Sequence, residues 1–329
     1  MTIEMINYHQ GHDFLTKEVD EHGRNVVDVA SEVGADFPVE YVPSEYTCPI
    51  TGEKVTPGYL KGNKKGDALN MYVLRVDSVP SIELGLHSGR YPQRNGYKHV
   101  FETVETMFPN SCTDITVFGR GERIAITQQI GDPVEVINGD NILPVLITSS
   151  SLNGQAKTTI NAVGNRVSCL NMLDLSKGLI QVKSTKNHDD LLTLRSALLE
   201  ASKVNSDSLV TFARQLSSST LSDTAFYRML NAVLPEAEED AATKTKNAVD
   251  AKRAAILHEW SQETKLNGDW GNGWLAYNAF QGAEQHRINQ GFKSTTAAKQ
   301  KGFEKVLDRS TPIADAAEEY LREQLLVGA

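Results

Sequence analysis

Residues 146–163 read LITSSSLNGQAKTTINAV, two runs of β-branched and small hydroxyl residues on either side of an Asn-Gly pair. Asn153 and Gly154 tolerate the positive φ angles that a two-residue hairpin turn imposes on its central positions, so the spacing predicts a tight antiparallel hairpin. A lone hairpin is barely stable in water and needs further strands with an apolar cover. The flanking sequence supplies them. MYVLRVDSV, TDITVFG, ERIAITQQI and ILPVLITSSS are short runs rich in Val, Ile and Thr, separated by turns at FGRGE and NGDN. Residues 69–181 are expected to form a mainly antiparallel sheet.

Beyond about His188 the apolar period changes from two to three or four. Leu191, Leu194, Leu198 and Leu199 share one helical face, and LSDTAFYRMLNAVL opens with Ser222 as a cap. Further helices are expected at ATKTKNAVDAKRAAILHEWSQE, GWLAYNAFQGAEQHR and PIADAAEEYLREQLL. The fold class is therefore α+β, a hairpin-rich antiparallel sheet in the first half and a helical second half. Three units are expected: an acidic arm over 1–53, a β-rich core over 54–187, and a helical region over 188–329 that packs on the core.

The net charge of −9 argues at first sight against a polyanionic partner, because phosphate binding draws on Lys and Arg. Its distribution reverses that impression. Residues 1–53 hold eleven acids against Lys17 and Arg24, which accounts for the whole excess. Residues 54–98 hold eight bases against Asp67, Asp77 and Glu83, and residues 157–195 hold six bases against three acids. The arm has weak periodicity, although TKEVDEHGRNVVDVASEVG could form a short helix, so it is expected to be either disordered or loosely docked or a small packed subdomain. No run of about 18 apolar residues is present to cross a bilayer. The start, MTIEMINYHQGHDF, lacks the basic and apolar regions of a secretory signal, which places the chain in a cytoplasm. Cys48, Cys112 and Cys169 are too few and too far apart for a disulfide framework.

No cofactor or metal is expected. CPITGE, around Cys48, looks like half of a zinc ribbon, but no second cysteine stands two to four residues away, and His9 and His12 are remote. Cys169 follows Arg166 near the start of an expected helix, where a thiol can be activated, yet the nearest histidine, His188, is nineteen residues on; a buried structural cysteine fits better. Neither GNKKGD nor GDWGNGW matches a phosphate loop. Single-stranded nucleic acid, in contrast, needs cations for phosphate and aromatic faces for bases. RYPQRNGYKH, residues 90–99, has both in its densest form.

The stretch LITSSSLNGQAKTTINAVGNRVSCLNML, with its Ser-rich strand, Asn-Gly turn, return strand and Arg-Val-x-Cys-x-Asn ending, resembles the central signature of the phage and plasmid-like proteins grouped as domain of unknown function 932. GERIAITQQIGDPVEV and GNGWLAYNAFQGAEQH resemble that family's next strand pair and late helix, and the likeness runs over about residues 70–325. One departure stands at Tyr91, which Pro92 follows directly, where the family's G-x-x-Y-x-P-x-x-N segment has a spacer. The resemblance implies a role in nucleic-acid metabolism, and the architecture is similar to that of phage single-strand annealing recombinases, which form rings or filaments. The expectation is a non-enzymatic, homo-oligomeric protein that binds and anneals single-stranded DNA. Lys64, Lys65, Arg90, Arg94, Lys98, Lys157 and Arg166 would contact phosphate, and Tyr91 and Tyr97 would stack on bases. The alternative is a structural or host-directed protein-interaction factor; an enzyme is the third choice.

Overall fold

The computed structural model describes residues 4–7, 15–18, 23–43, 46–47, 49–52, 54–55, 70–88, 96–137, 139–153, 158–166, 172–173, 180–181, 188–266, 268, 270–288, 301, 303–305, 307–308 and 310–325. The first half holds β1 (Glu4–Asn7), β2 (Leu15–Glu18), α1 (Val26–Glu32), β3 (Val39–Pro43), β4 (Tyr46–Thr47), β5 (Lys54–Val55), β6 (Asn70–Arg75), β7 (Ile82–Ser88) and α2 (Lys98–Met107). There follow β8 (Cys112–Phe118), β9 (Arg123–Gln129), β10 (Val134–Ile137), β11 (Asp140–Ser151), β12 (Thr159–Arg166), β13 (Met172–Leu173) and β14 (Ile180–Gln181). The rest is helical: α3 (His188–Ser217), α4 (Asp223–Val233), α5 (Thr243–Leu266), α6 (Gly273–Gly282) running on as a π-helical turn (Ala283–Arg287), and α7 (Pro312–Leu325). The chain is an α+β protein.

The main sheet is antiparallel, in the order β13-β12-β11-β9-β8, with β10 beside β11 and β14 beside β12. Side chains on successive strand residues point to opposite faces. Accordingly Ile124 and Ile126 belong to one core and Ala125 between them to another, and Leu146 is divided in the same way from Val145 and Ile147. Both faces are buried. On the first face lie α1, α2 and the small β3-β6-β7 sheet, through Val29, Phe37, Val73, Leu84, Phe101 and Val104. On the second lie Phe303 and Leu307, with Phe118 stacked on Phe303 at 5.7 Å. A further core, built from Phe212, Phe226, Trp260, Trp274, Tyr277 and Phe280, reaches the sheet at Ile142.

Pro144 lies in the interior of β11, where a missing N–H would normally interrupt a ladder. Here it falls between the end of β10 pairing at Ile142 and the start of β9 pairing at Val145, so no partner is deprived.

The central hairpin is real: β11 and β12 pair antiparallel with Ser149 facing Thr159, and the turn expected at Asn153-Gly154 lies in part outside the described residues. Asn153 is an anchor: buried, it accepts a bond from Ser151 Oγ at 2.5 Å and donates Nδ2–H to Leu84 O at 3.1 Å. Gly154 lies outside the described residues. Of the two alternatives for the acidic arm, its later half follows the packed one. Val26, Val29, Ala30 and Val33 have the spacing of one helical face and enter the core. Asn25 caps α1 by accepting from Val27 N at 2.8 Å, Glu105 of α2 accepts from Val26 N at 2.9 Å, and Arg24 pairs with Cys112 at the rim of the main sheet.

Candidate functional site

Two places gather polar side chains. The first is a cleft of about 640 Å³ at the turn end of the hairpin. Glu83 to Gly85 of β7 form one wall, the β8–β9 turn from Phe118 to Arg123 another, Ser151 and Asn153 the floor, and Glu304 with Asp308 the far rim. The turn is shaped by glycine: Gly121 has φ +113°, and a Cβ there would lie 2.5 Å from the Phe37 ring. Arg123 donates to Ser149 Oγ at 2.8 Å and to Asp308 at 2.9 Å, which ties the sheet to the chain leading into α7. Arg120 reaches Glu122 at 3.2 Å and is otherwise well exposed. Four carboxylates against two guanidinium groups make a cleft that repels polyanions, and it has the size of an ordinary ligand pocket.

The second place is sealed. Arg166 at the end of β12 donates to both oxygens of Asp140 at 2.8 Å and to both oxygens of Glu263 at 2.8 Å. Trp274 Nε1–H donates to Asp140 at 2.8 Å. All four side chains are buried where the sheet meets α5 and α6. Guanidinium presents a fixed fork of N–H donors, and a carboxylate on each prong consumes it.

The residues expected to bind nucleic acid divide three ways. Lys64, Lys65, Arg90, Tyr91, Arg94 and Lys157 lie outside the described residues, as do Cys48 and Cys169. Lys98 is exposed at the start of α2 beside exposed His99, with a loose ion pair to Glu102 at 3.9 Å. Tyr97 and Arg166 are corrected. Tyr97 is a core residue whose hydroxyl donates to Gly121 O at 2.9 Å and whose ring meets Phe37 edge-on at 6.0 Å; burial pushes its phenol well above the ordinary range. It cannot stack on a base, and Arg166 cannot reach a phosphate. The three residues share no surface. A further base of the tract, Arg75, is held by Asp77 at 2.6 and 2.7 Å, and that hydrogen bonding keeps the Asp77 carboxyl below its usual range.

Sequence reasoning passes over Asp140, Glu263, Arg120 and Arg123. FGRGE reads only as a turn, and the partners of Arg166 stand 26 and 97 residues away, beyond any local pattern. Asn278 does act as a buried anchor, donating to Trp274 O at 2.8 Å. Among the described residues, no group of three or more His, Cys, Asp or Glu is placed to hold a metal ion, and no helix is long and apolar enough to cross a membrane.

An antiparallel sheet with a helical cap gives the class, an α+β protein. The chain belongs to the family described as Domain of unknown function (DUF932), whose model matches residues 95–311. That range takes in the main sheet and the helices up to the start of α7, and it begins only at the end of the basic tract. No curated protein and no solved structure matches the chain.

Proposed function

We propose that the protein binds and anneals single-stranded DNA as a non-catalytic homo-oligomer, a ring or filament, serving recombination in a phage or mobile element within the host cytoplasm. The observation that carries this reading is segregated charge: residues 54–98 concentrate eight bases among aromatic residues, and where that tract enters α2 its last base, Lys98, and the adjoining His99 face solvent. Annealing makes and breaks no covalent bond, so a basic track on a multimer suffices. The test is binding of a fluorescent oligonucleotide across a salt series, with an Arg90→Ala/Arg94→Ala/Lys98→Ala variant alongside. Each cation withdrawn from a phosphate lowers the logarithmic salt slope by about 0.7, so the triple variant should bind more weakly with a slope shallower by about 2. Absence of binding at low salt sinks the reading.

The carboxylate-rimmed cleft favours a second reading, a protein-interaction factor whose partner brings a basic segment. Oligonucleotide competition separates the two, since it displaces a nucleic acid and leaves an unrelated protein partner in place.

A further inference from the structure

The cleft at the β8–β9 turn is lined by polar groups whose hydrogen-bonding capacity the chain does not use up. A guanidinium carries N–H donors on Nε, Nη1 and Nη2. Arg123 donates from Nε to Ser149 Oγ at 2.8 Å and from Nη2 to Asp308 Oδ1 at 2.9 Å. Its Nη1 has no partner among the described residues, although the side chain is only 16% exposed. Arg120 turns back on Glu122, whose two oxygens accept from Arg120 N at 2.5 Å and Arg120 Nε at 3.2 Å. That leaves Nη1 and Nη2 of Arg120, on a well-exposed side chain. Gly119 permits the close return: it takes φ +61°, and a Cβ there would lie 2.3 Å from Glu122 Oε2.

The other two walls have acceptors to spare. Glu83 of β7 is exposed and has no ion pair or hydrogen bond among the described residues. Asp308 gives one oxygen to Arg123 and Glu304 gives one to Lys301 at 2.9 Å, so Oδ2 of the first and Oε1 of the second remain. Buried Ser151 donates to Asn153, and its Oγ keeps its accepting capacity. Leu84 and Phe118 add apolar lining between the polar groups.

The lining is thus divided by sign, with guanidinium donors on the turn and carboxylates on the walls that flank it. An anion alone would meet four carboxylates, and a cation alone would leave the guanidinium groups idle. A guanidinium fork matches a carboxylate, and two more acids than bases in the lining favour a ligand of net positive charge. We propose that the cleft binds a basic amino acid, free or as the last residue of a short peptide. Its α-carboxylate would meet Arg120 and Arg123, its cationic groups Glu83 and the rim of Glu304 and Asp308, and its methylene stem Leu84 and Phe118. This goes beyond both readings above, since a small ligand here is compatible with either.

The test is isothermal titration calorimetry on the full chain with L-arginine, Gly-Gly-Arg, agmatine and L-citrulline. Agmatine lacks the carboxylate of arginine, and citrulline lacks its side-chain charge. Arginine or the tripeptide should bind, the tighter of the two naming the source, and agmatine and citrulline should bind about tenfold more weakly or worse. Glu83→Gln and Arg120→Ala, both at exposed positions, should weaken the binding by a similar factor with melting temperatures unchanged. Agmatine as tight as arginine would remove the carboxylate contact and overturn the assignment. Binding that neither variant weakens would place the ligand elsewhere and overturn it as well. So would the absence of heat with any of the four up to about 10 mM, and none of these outcomes touches the nucleic-acid reading.

Discussion

Replacing Arg166 by Met separates a structural cation from a ligand-binding one. The substitution keeps length and apolar stem and removes the guanidinium, leaving the buried Asp140 and Glu263 carboxylates without their shared cation. Asp140 would keep the Trp274 N–H at 2.8 Å, while both Glu263 bonds from the guanidinium would go. Removing one partner of a buried ion pair costs about 3–5 kcal/mol, mostly the desolvation of the charge left behind. With an unfolding entropy of about 2.1 cal/mol/K per residue, a cooperative chain of 329 residues loses about 4–7 °C of melting temperature. Differential scanning calorimetry on Arg166→Met reads that shift. Adding Asp140→Asn and Glu263→Gln, which remove the two buried negative charges, should restore at least half of it. A melting temperature within about 1 °C of wild type, combined with lost oligonucleotide affinity, would refute the reasoning and return Arg166 to the phosphate contacts.

Gly164→Ala should destabilise by about 1–3 kcal/mol, since the new Cβ would lie 2.1 Å from Leu209 and 2.8 Å from Ile142; in a double-mutant cycle Leu209→Ala should absorb part of that loss, and strictly additive effects would count against the contact. Burial pushes the Glu284 carboxyl above the ordinary glutamate range, although it caps α7 by accepting from Ile313 N and Ala314 N and has Lys305 nearby. The native state therefore holds that proton more tightly than the unfolded chain does. Its contribution is fully present below the unfolded value of about 4.3 and is lost as pH rises through the raised native one. Melting temperatures of wild type and Glu284→Gln should accordingly diverge over that window, and a constant difference would show that the carboxyl does not titrate there. Burial also pushes the Cys112 thiol up to about 12, so in a Cys48→Ser/Cys169→Ser background a thiol reagent at about pH 8 should react only after denaturant is added; reaction of the folded protein would place the thiol at the surface.

The sheet is legible because its strands are short runs of β-branched residues with turn residues between them, and Ser222 because a cap is a local device: its Oγ accepts from Ala225 N at 3.3 Å. What escapes is of another kind. A hairpin whose register differs by one residue looks the same in sequence, and the bond from Asn153 to Leu84 joins stretches 69 residues apart that no local pattern connects. Tyr97 reads with the cations around it, although Tyr97, Phe101 and Val104 stand at helical spacing and so mark a buried face. The same spacing in Val26, Val29, Ala30 and Val33 is what makes a short helix readable in the arm despite the acids around it. The Arg166 cluster leaves no trace, because it joins three distant stretches of chain and ionic partners carry no periodicity.

Leu198 of α3 belongs to the core under α1 and α2, while Leu209, Phe212 and Leu216 of the same helix belong to the core of α4 to α7. At about 1.5 Å per residue its thirty residues form a rod of about 45 Å. Such a rod is a lever. A tilt imposed at one end displaces the side chains at the other, and the two ends should lose hydrogen-exchange protection together rather than in turn.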